Sequence, residues 1–127
     1  MEGQHERTIL YVDDQASHRL LFERTFRGDW LVLTASSAEE GMKMLQEYDI
    51  FLVVADHNMP GVTGIDFLAE VEKKSPKIIR AILSAYADEQ LKAEADRRAH
   101  VSAYLEKPWD RRRIEAFLEI AYALYNG

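Results

Sequence analysis

Short apolar runs alternate with helix-like stretches from one end of this chain to the other, and that alternation excludes most folds. Thr8 to Val12 is short, apolar and partly β-branched, the mark of a buried strand. Trp30 to Ala35, Ile50 to Ala55, Ile78 to Leu83 and Val101 to Leu105 repeat the pattern, and Ile50 to Ala55, the most apolar, is expected at the centre. Between them, Ser17 to Arg27 sets Leu20, Leu21, Phe22 and Phe26 at helical spacing and stops at Gly28-Asp29. Ser36-Ser37 caps a helix with Glu39-Glu40 in its first turn and Ala38, Met42 and Leu45 on its buried side. Gly64 opens a helix to about Lys74, buried through Ile65, Leu68 and Val71 and ended by Ser75-Pro76. Asp88 to about Arg98 and Asp110 to Tyr125 are the last two helices, with Asn126-Gly127 as a C-cap. Five β-α units joined this closely imply right-handed crossovers and a parallel sheet covered on both faces, an α/β fold.

Composition narrows the classes. The 127 residues suit one domain, residues 1–127 with a core of about 8–125. A net charge of -6 argues against direct binding to nucleic acid, and the one basic run, Arg111-Arg112-Arg113, reads as the solvated first turn of a helix. The chain has no cysteine, which excludes thiolate metal sites. It has no apolar stretch near the roughly 20 residues of a membrane span. The N-terminal segment Met1 to Arg7 lacks a signal-peptide core, so the expected compartment is the cytoplasm, away from the membrane.

Four of the runs end on polar groups suited to phosphate or metal chemistry: Asp13-Asp14, Asp56, Ser84 and Lys107. In a parallel sheet all of them emerge at one carboxyl edge, where open α/β folds place their ligands. Asp13 and Asp14 are adjacent and on a regular strand would face opposite ways, but at a strand end both can lean toward one site. Two close carboxylates repel unless a cation sits between them, and magnesium, a hard oxygen-seeking ion, suits them best. Taken alone, the pair serves equally well to cap the helix that follows. Asp56 is sharper, because six apolar residues carry it to the rim of the most buried strand. A carboxylate there can attack phosphorus and hold an aspartyl phosphate. Ser84 can donate to a phosphoryl oxygen and Lys107 can neutralise another, while Lys107-Pro108 suggests an unusual, even cis, peptide that aims the ammonium.

In this order, Ile9-Leu10-Tyr11-Val12-Asp13-Asp14, Val54 through Gly61 with Gly64, Leu83-Ser84-Ala85-Tyr86 and Tyr104 through Trp109 resemble a two-component response-regulator receiver domain. The resemblance runs from about Thr8 to Tyr125. It implies a flavodoxin-like three-layer sandwich with a five-stranded parallel sheet in the order 2-1-3-4-5. It also implies that Asp56 accepts a phosphoryl group from a histidine kinase or phosphotransfer protein with Mg2+. Asp14 would hold the metal directly, Asp13 through water, and Asn58 through its backbone carbonyl. Ser84 takes the switch hydroxyl position, Lys107 the phosphate-binding lysine, and Tyr104 the aromatic whose ring follows the switch. His57 and Ala55 depart from the family in polarity and size without removing a chemical group, and Tyr86 and Asn58 would flank the phosphoryl group, Tyr86 hindering water.

The resemblance thus implies a regulatory phosphoacceptor, enzymatic only toward its own acyl phosphate, which changes the face formed by the fourth helix, last strand and last helix. Ile114, Phe117, Leu118, Ala121 and Tyr125 make the core stripe of that last helix. Ala116, Ile120, Ala123 and Leu124 add apolar surface elsewhere, expected to meet a second copy or a downstream output segment. Two other readings carry different chemistry. A haloacid-dehalogenase-like phosphatase places its nucleophile first and its acidic pair last, the reverse of this order, and has a second Asp where Asn58 stands. A non-phosphorylated receiver-like interaction domain usually lacks one of the acidic residues, and none is missing here.

Overall fold

The computed structural model describes residues 7–85 and 89–127. The run from Thr8 to Val12 is buried at every position, which only a strand covered on both faces allows. This strand, β1 (Thr8–Val12), sends Ile9 and Tyr11 into one apolar cluster and Leu10 and Val12 into the other, the period-two alternation of a strand. The chain continues as α1 (Ala16–Phe26), β2 (Leu31–Ala35), α2 (Ala38–Glu47), β3 (Leu52–Asp56) and α3 (Gly64–Lys74). It ends with β4 (Ile79–Ser84), α4 (Glu89–Ala99), β5 (Ala103–Glu106) and α5 (Arg111–Asn126).

The five strands pair in parallel in the order β2-β1-β3-β4-β5, with β3 in the middle, as the sequence leads one to expect. On one face Phe22 and Phe26 of α1 pack with Ile114, Leu118 and Ala121 of α5. On the other, α2, α3 and α4 contribute Met42, Ile65, Phe67, Leu68, Val71, Ala95 and Ala99. The layers are thus two helices, a sheet and three helices, a flavodoxin-like sandwich.

Local chemistry accounts for the helix starts. The Ser37 hydroxyl accepts the Glu40 N–H at 3.1 Å, and the Glu40 carboxylate accepts the Ser36 N–H at 2.6 Å, a reciprocal cap. Thr63 caps α3 by accepting from Asp66 N, and Asp110 caps α5 by accepting from Arg112 N. That carboxylate offsets the three exposed arginines that occupy the positive end of α5. At the opposite edge of the sheet Arg80, almost wholly buried, donates to the carbonyls of Pro76, Ile78, Ala99 and His100. It thereby ties the C-terminal end of α4 to β4. Arg98 adds an ion pair to Asp66 at 2.5 Å, joining the same end of α4 to α3.

Several expectations shift. Leu20 and Leu21 are 49% and 57% exposed, because the i, i+4 pair Phe22 and Phe26 alone turns toward the sheet. Ala38, Met42 and Leu45 are only half-buried; the buried residue of α2 is Gly41, where a side chain would meet the Phe67 ring at 2.9 Å. Trp30 precedes β2, since its N–H returns to Phe26 O and closes the turn. β5 begins at Ala103 and is half-buried, as befits an edge strand. The outer residues of α5 lie where the spacing put them: Ala116, Ile120, Ala123 and Leu124 are all exposed.

Gly64 sits where α3 leaves the sheet edge, and a Cβ there would lie 2.6 Å from Asp56 O and 2.8 Å from His57 Cα. Both contacts are backbone, which cannot swing aside. Gly64→Ala should therefore cost about 1–3 kcal/mol in urea denaturation. Gly28→Ala, with nothing within 4 Å of the added carbon, should stay within about 0.5 kcal/mol of wild type.

Candidate functional site

Parallel pairing carries the carboxyl ends of β1, β3, β4 and β5 to one edge, and their polar residues converge there. Asp56 ends β3 while still paired with Leu83, and its neighbour His57 donates its N–H to Leu83 O at 2.9 Å. The ladder therefore fixes the Asp56 backbone at the sheet rim with its side chain only 2% exposed. Asp13 follows β1 and is fully buried, while Asp14 beside it is exposed. One carboxylate oxygen from each of Asp13, Asp14 and Asp56 lies within 4.8 Å of the other two. Such a set of hard oxygens fits a divalent cation such as Mg2+. The buried Asp56 Oδ1 is met by an ammonium.

That ion pair comes from Lys107, whose Nζ lies 2.6 Å from Asp56 Oδ1 and 3.8 Å from Asp13 Oδ2. Burial pushes the Asp56 carboxyl above the usual carboxylate range; Lys107 pulls it back, and Asp13 pushes it up again. Lys107 arrives through a backbone bond from its N–H to Ser84 O at 2.9 Å, followed by a cis Lys107-Pro108 peptide. Ser84, the last residue of β4, is 2% exposed and pairs with Glu106. The hydroxyl-bearing residue and the ammonium-bearing residue are thus coupled directly through the main chain.

Asp13 is held from several sides. Its Oδ2 accepts the Tyr11 hydroxyl at 2.7 Å and faces His18 Nδ1 at 3.1 Å, while its Oδ1 accepts the Gln15 N–H at 3.0 Å. Arg19 donates to its carbonyl at 2.8 Å, and its own N–H donates to Ala35 O at 3.1 Å. The N-cap of α1 is Gln15, whose side chain makes no capping bond, so the acidic pair is not consumed in starting that helix beyond the single Gln15 contact. Burial, and then the Asp13 hydrogen bond, hold the Tyr11 phenol far above its ordinary range, so it remains a neutral donor. The ring stacks on Phe22 with centroids 4.3 Å apart and planes at 6°.

The other expected residues lie nearby. Asn58 is exposed and, with His57 and Ser84, lines a cavity of about 510 Å³ that α4 closes with Gln90, Leu91, Glu94 and Arg97. His57 is half-buried, and its Nδ1 has no hydrogen-bond partner among the described residues. Tyr104 is half-buried on β5 against the cluster shared with α3 and α4, with Lys92 Nζ 5.6 Å from its ring centroid. Tyr86 falls outside the described residues. Reading the sequence for chemistry overlooked Tyr11, His18 and Arg19. The available signal was spacing: Tyr11 is two residues before Asp13, hence on the same strand face, and is the one aromatic in that aliphatic run.

Comparison with known proteins gives a consistent picture. Residues 9–119 match the family model of the response regulator receiver domain. The chain is 35% identical over 102 residues to the "Hydrogenase transcriptional regulatory protein HoxA" of Cupriavidus necator, covering 80% of this chain and 21% of that one. It is 35% identical over 121 residues to the "Probable chemotaxis protein CheY" of Rhizobium etli, covering 90% and 91% respectively. It therefore spans about a fifth of the longer relative and nearly all of the shorter. A response regulator receiver domain from Clostridium thermocellum superposes with a TM-score of 0.84 at 28% identity, covering 91% of this chain and 94% of that one. Among the described residues no helix is long and apolar enough to cross a membrane.

A carboxyl pushed up by burial binds protons more readily folded than unfolded. Its ionisation therefore opposes folding once the pH has risen through the raised value. Asp56→Asn should accordingly stabilise the metal-free protein at neutral pH in urea denaturation, and the gain should shrink as the pH falls into the carboxylate range.

Proposed function

The chain belongs to the response regulator receiver domain family, and from that premise we propose that Asp56 accepts a phosphoryl group from the phosphohistidine of a sensor kinase or phosphotransfer protein. An Asp56 oxygen attacks phosphorus in line with the P–N bond. The new O–P bond forms as that bond breaks, and its electron pair stays with the departing imidazole nitrogen. Transfer of this kind needs positioning and charge stabilisation more than covalent assistance. The supporting observation is the cluster itself, three carboxylates with oxygens within 4.8 Å and one ammonium 2.6 Å from the candidate nucleophile.

Magnesium, held by Asp13, Asp14, Asp56 and the Asn58 carbonyl, would neutralise the charge on the attacking carboxylate and the incoming phosphoryl oxygens. The remaining steps fall to this chain's own residues. Once Asp56 is phosphorylated, its carboxylate charge is gone and the negative charge lies on the phosphoryl oxygens. Lys107 Nζ then transfers its ion pair from the carboxylate to one of those oxygens. The Ser84 hydroxyl donates to another, and the main-chain bond from Lys107 to Ser84 makes the two movements interdependent. Tyr104 on the adjoining strand follows, biasing the face of α4, β5 and α5 between two arrangements. Ile120 and Leu124, 59% and 61% exposed on α5, offer that face apolar anchors for a second copy or an output segment. Water attack on the acyl phosphate returns the starting state.

Incubating the protein with Mg2+ and acetyl phosphate and weighing it intact should reveal one phosphoryl adduct, absent from Asp56→Asn. Lys107→Ala should still be phosphorylated but should lose the change in α4–β5–α5 amide shifts on phosphorylation. An adduct on Asp56→Asn places the acceptor elsewhere, and no adduct on wild type with several donors returns the chain to a non-phosphorylated interaction domain.

A further inference from the structure

Asp13 has more partners than a metal-site carboxylate requires, and the most specific of them is Tyr11. Its hydroxyl donates to Asp13 Oδ2 at 2.7 Å, both residues are buried, and the ring is fixed by its stack on Phe22. Phe22 in turn meets Trp109 edge-on at 5.9 Å, just beyond the Lys107-Pro108 peptide. The donor thus cannot leave Asp13 without disturbing an aromatic column that also borders the Lys107 loop.

The energetic value of this bond depends on whether a cation is present. Without one, Asp13 stands near Asp14 and Asp56, and among the described residues the cationic side chain shared by the two buried carboxylates is Lys107, closer to Asp56 by more than an ångström. The Tyr11 hydrogen bond is then donated to a carboxylate whose charge no divalent cation shares and which Lys107 offsets only from 3.8 Å, and bonds to a charged acceptor are the stronger ones. A divalent cation takes up part of that charge, and the same bond becomes weaker. A contact worth more in the cation-free state than in the cation-bound state lowers cation affinity by the difference.

We infer that Tyr11 is a positioning residue of the acidic site that stabilises Asp13 before the cation arrives and thereby sets magnesium affinity below what the three carboxylates alone would give. The inference rests on the receiver reading of that site. Orientation does not depend on Tyr11 alone, since Gln15 N, Arg19 and Ala35 O also hold Asp13. Removing the hydroxyl therefore leaves Asp13 in place and strips away only the bond that competes with the cation. His18, in contact with the same oxygen at 3.1 Å but half-exposed, should act in the same direction and more weakly.

The test titrates the full chain with MgCl2 by calorimetry, alongside thermal melting without metal, for wild type, Tyr11→Phe, Asp13→Asn and the double variant. Tyr11→Phe should melt lower without metal yet bind Mg2+ roughly five- to tenfold more tightly, a part of the strength of one hydrogen bond to a charged group, since the bond is weakened and not lost when the cation binds. With Asp13→Asn as background, the same substitution should leave the affinity unchanged. His18→Gln should tighten binding less than Tyr11→Phe does. A Tyr11→Phe that binds Mg2+ as wild type does, or more weakly, overturns the inference and leaves Tyr11 a packing residue, with the receiver reading intact. So does equal tightening with and without the Asp13 carboxylate. A wild-type protein that binds no Mg2+ at all overturns both.

Discussion

A carboxylate at the rim of the most buried strand is tenable here because an ammonium from the next loop but one reaches it. Asp56 and Lys107 are joined at 2.6 Å, yet they come from β3 and from the end of β5, with β4 between them. The contact exists only if the strands pair in this order and this register, and if Lys107 is delivered by its main-chain bond to Ser84. Every larger feature serves that requirement: a parallel sheet that gathers the carboxyl ends, helices that exclude water from both faces, and a glycine that lets α3 start against the Asp56 backbone. Burial alone would favour the neutral acid, and the ammonium keeps a charged carboxylate available at the edge.

The two faces of the sheet divide the work. The face under α1 and α5 is aromatic, with Tyr11, Phe22, Phe26, Trp30 and Phe51 in one cluster that Trp109 and Tyr122 extend. Large rings at tilted and stacked angles fix positions closely, and this cluster carries Tyr11, hence Asp13. The face under α2, α3 and α4 is chiefly aliphatic, with Met59 and Met42 among its members. Tyr104 lies on this side, half-buried against that cluster on the edge strand β5.

Much of this was legible in the sequence because it is periodic. Strand and helix alternation gives the layers, and the polar residue after each apolar run gives the edge at which Asp13, Asp56, Ser84 and Lys107 meet. The strand order came from resemblance, since no local pattern says which strand neighbours which. What stayed hidden depends on details that periodicity does not carry. Leu20, Leu21 and Phe22 are consecutive apolar residues, and only tertiary packing decides that the phenylalanine faces inward. Gly41 replaces an apolar side chain because the Phe67 ring already fills the space, which a helical pattern reads as a gap. Tyr11 reads as one more core residue in an apolar strand, and its hydroxyl acquires meaning only beside the Asp13 carboxylate.

The clasp that Arg80 and Arg98 make around the far end of α4 gives that helix a fulcrum. Its C-terminal carbonyls are bound to a buried guanidinium and its last turn to α3, while Gln90 and Leu91 near its other end line one cavity with Ser84. Eleven residues make a rigid arm roughly 16 Å long. A tilt of only about 10° about the fixed end would carry the opposite end through roughly 3 Å, enough to exchange one set of side-chain contacts for another. If phosphorylation acts on Ser84 as proposed above, an ångström-scale event there would be magnified in this way before it reached the surface of the molecule.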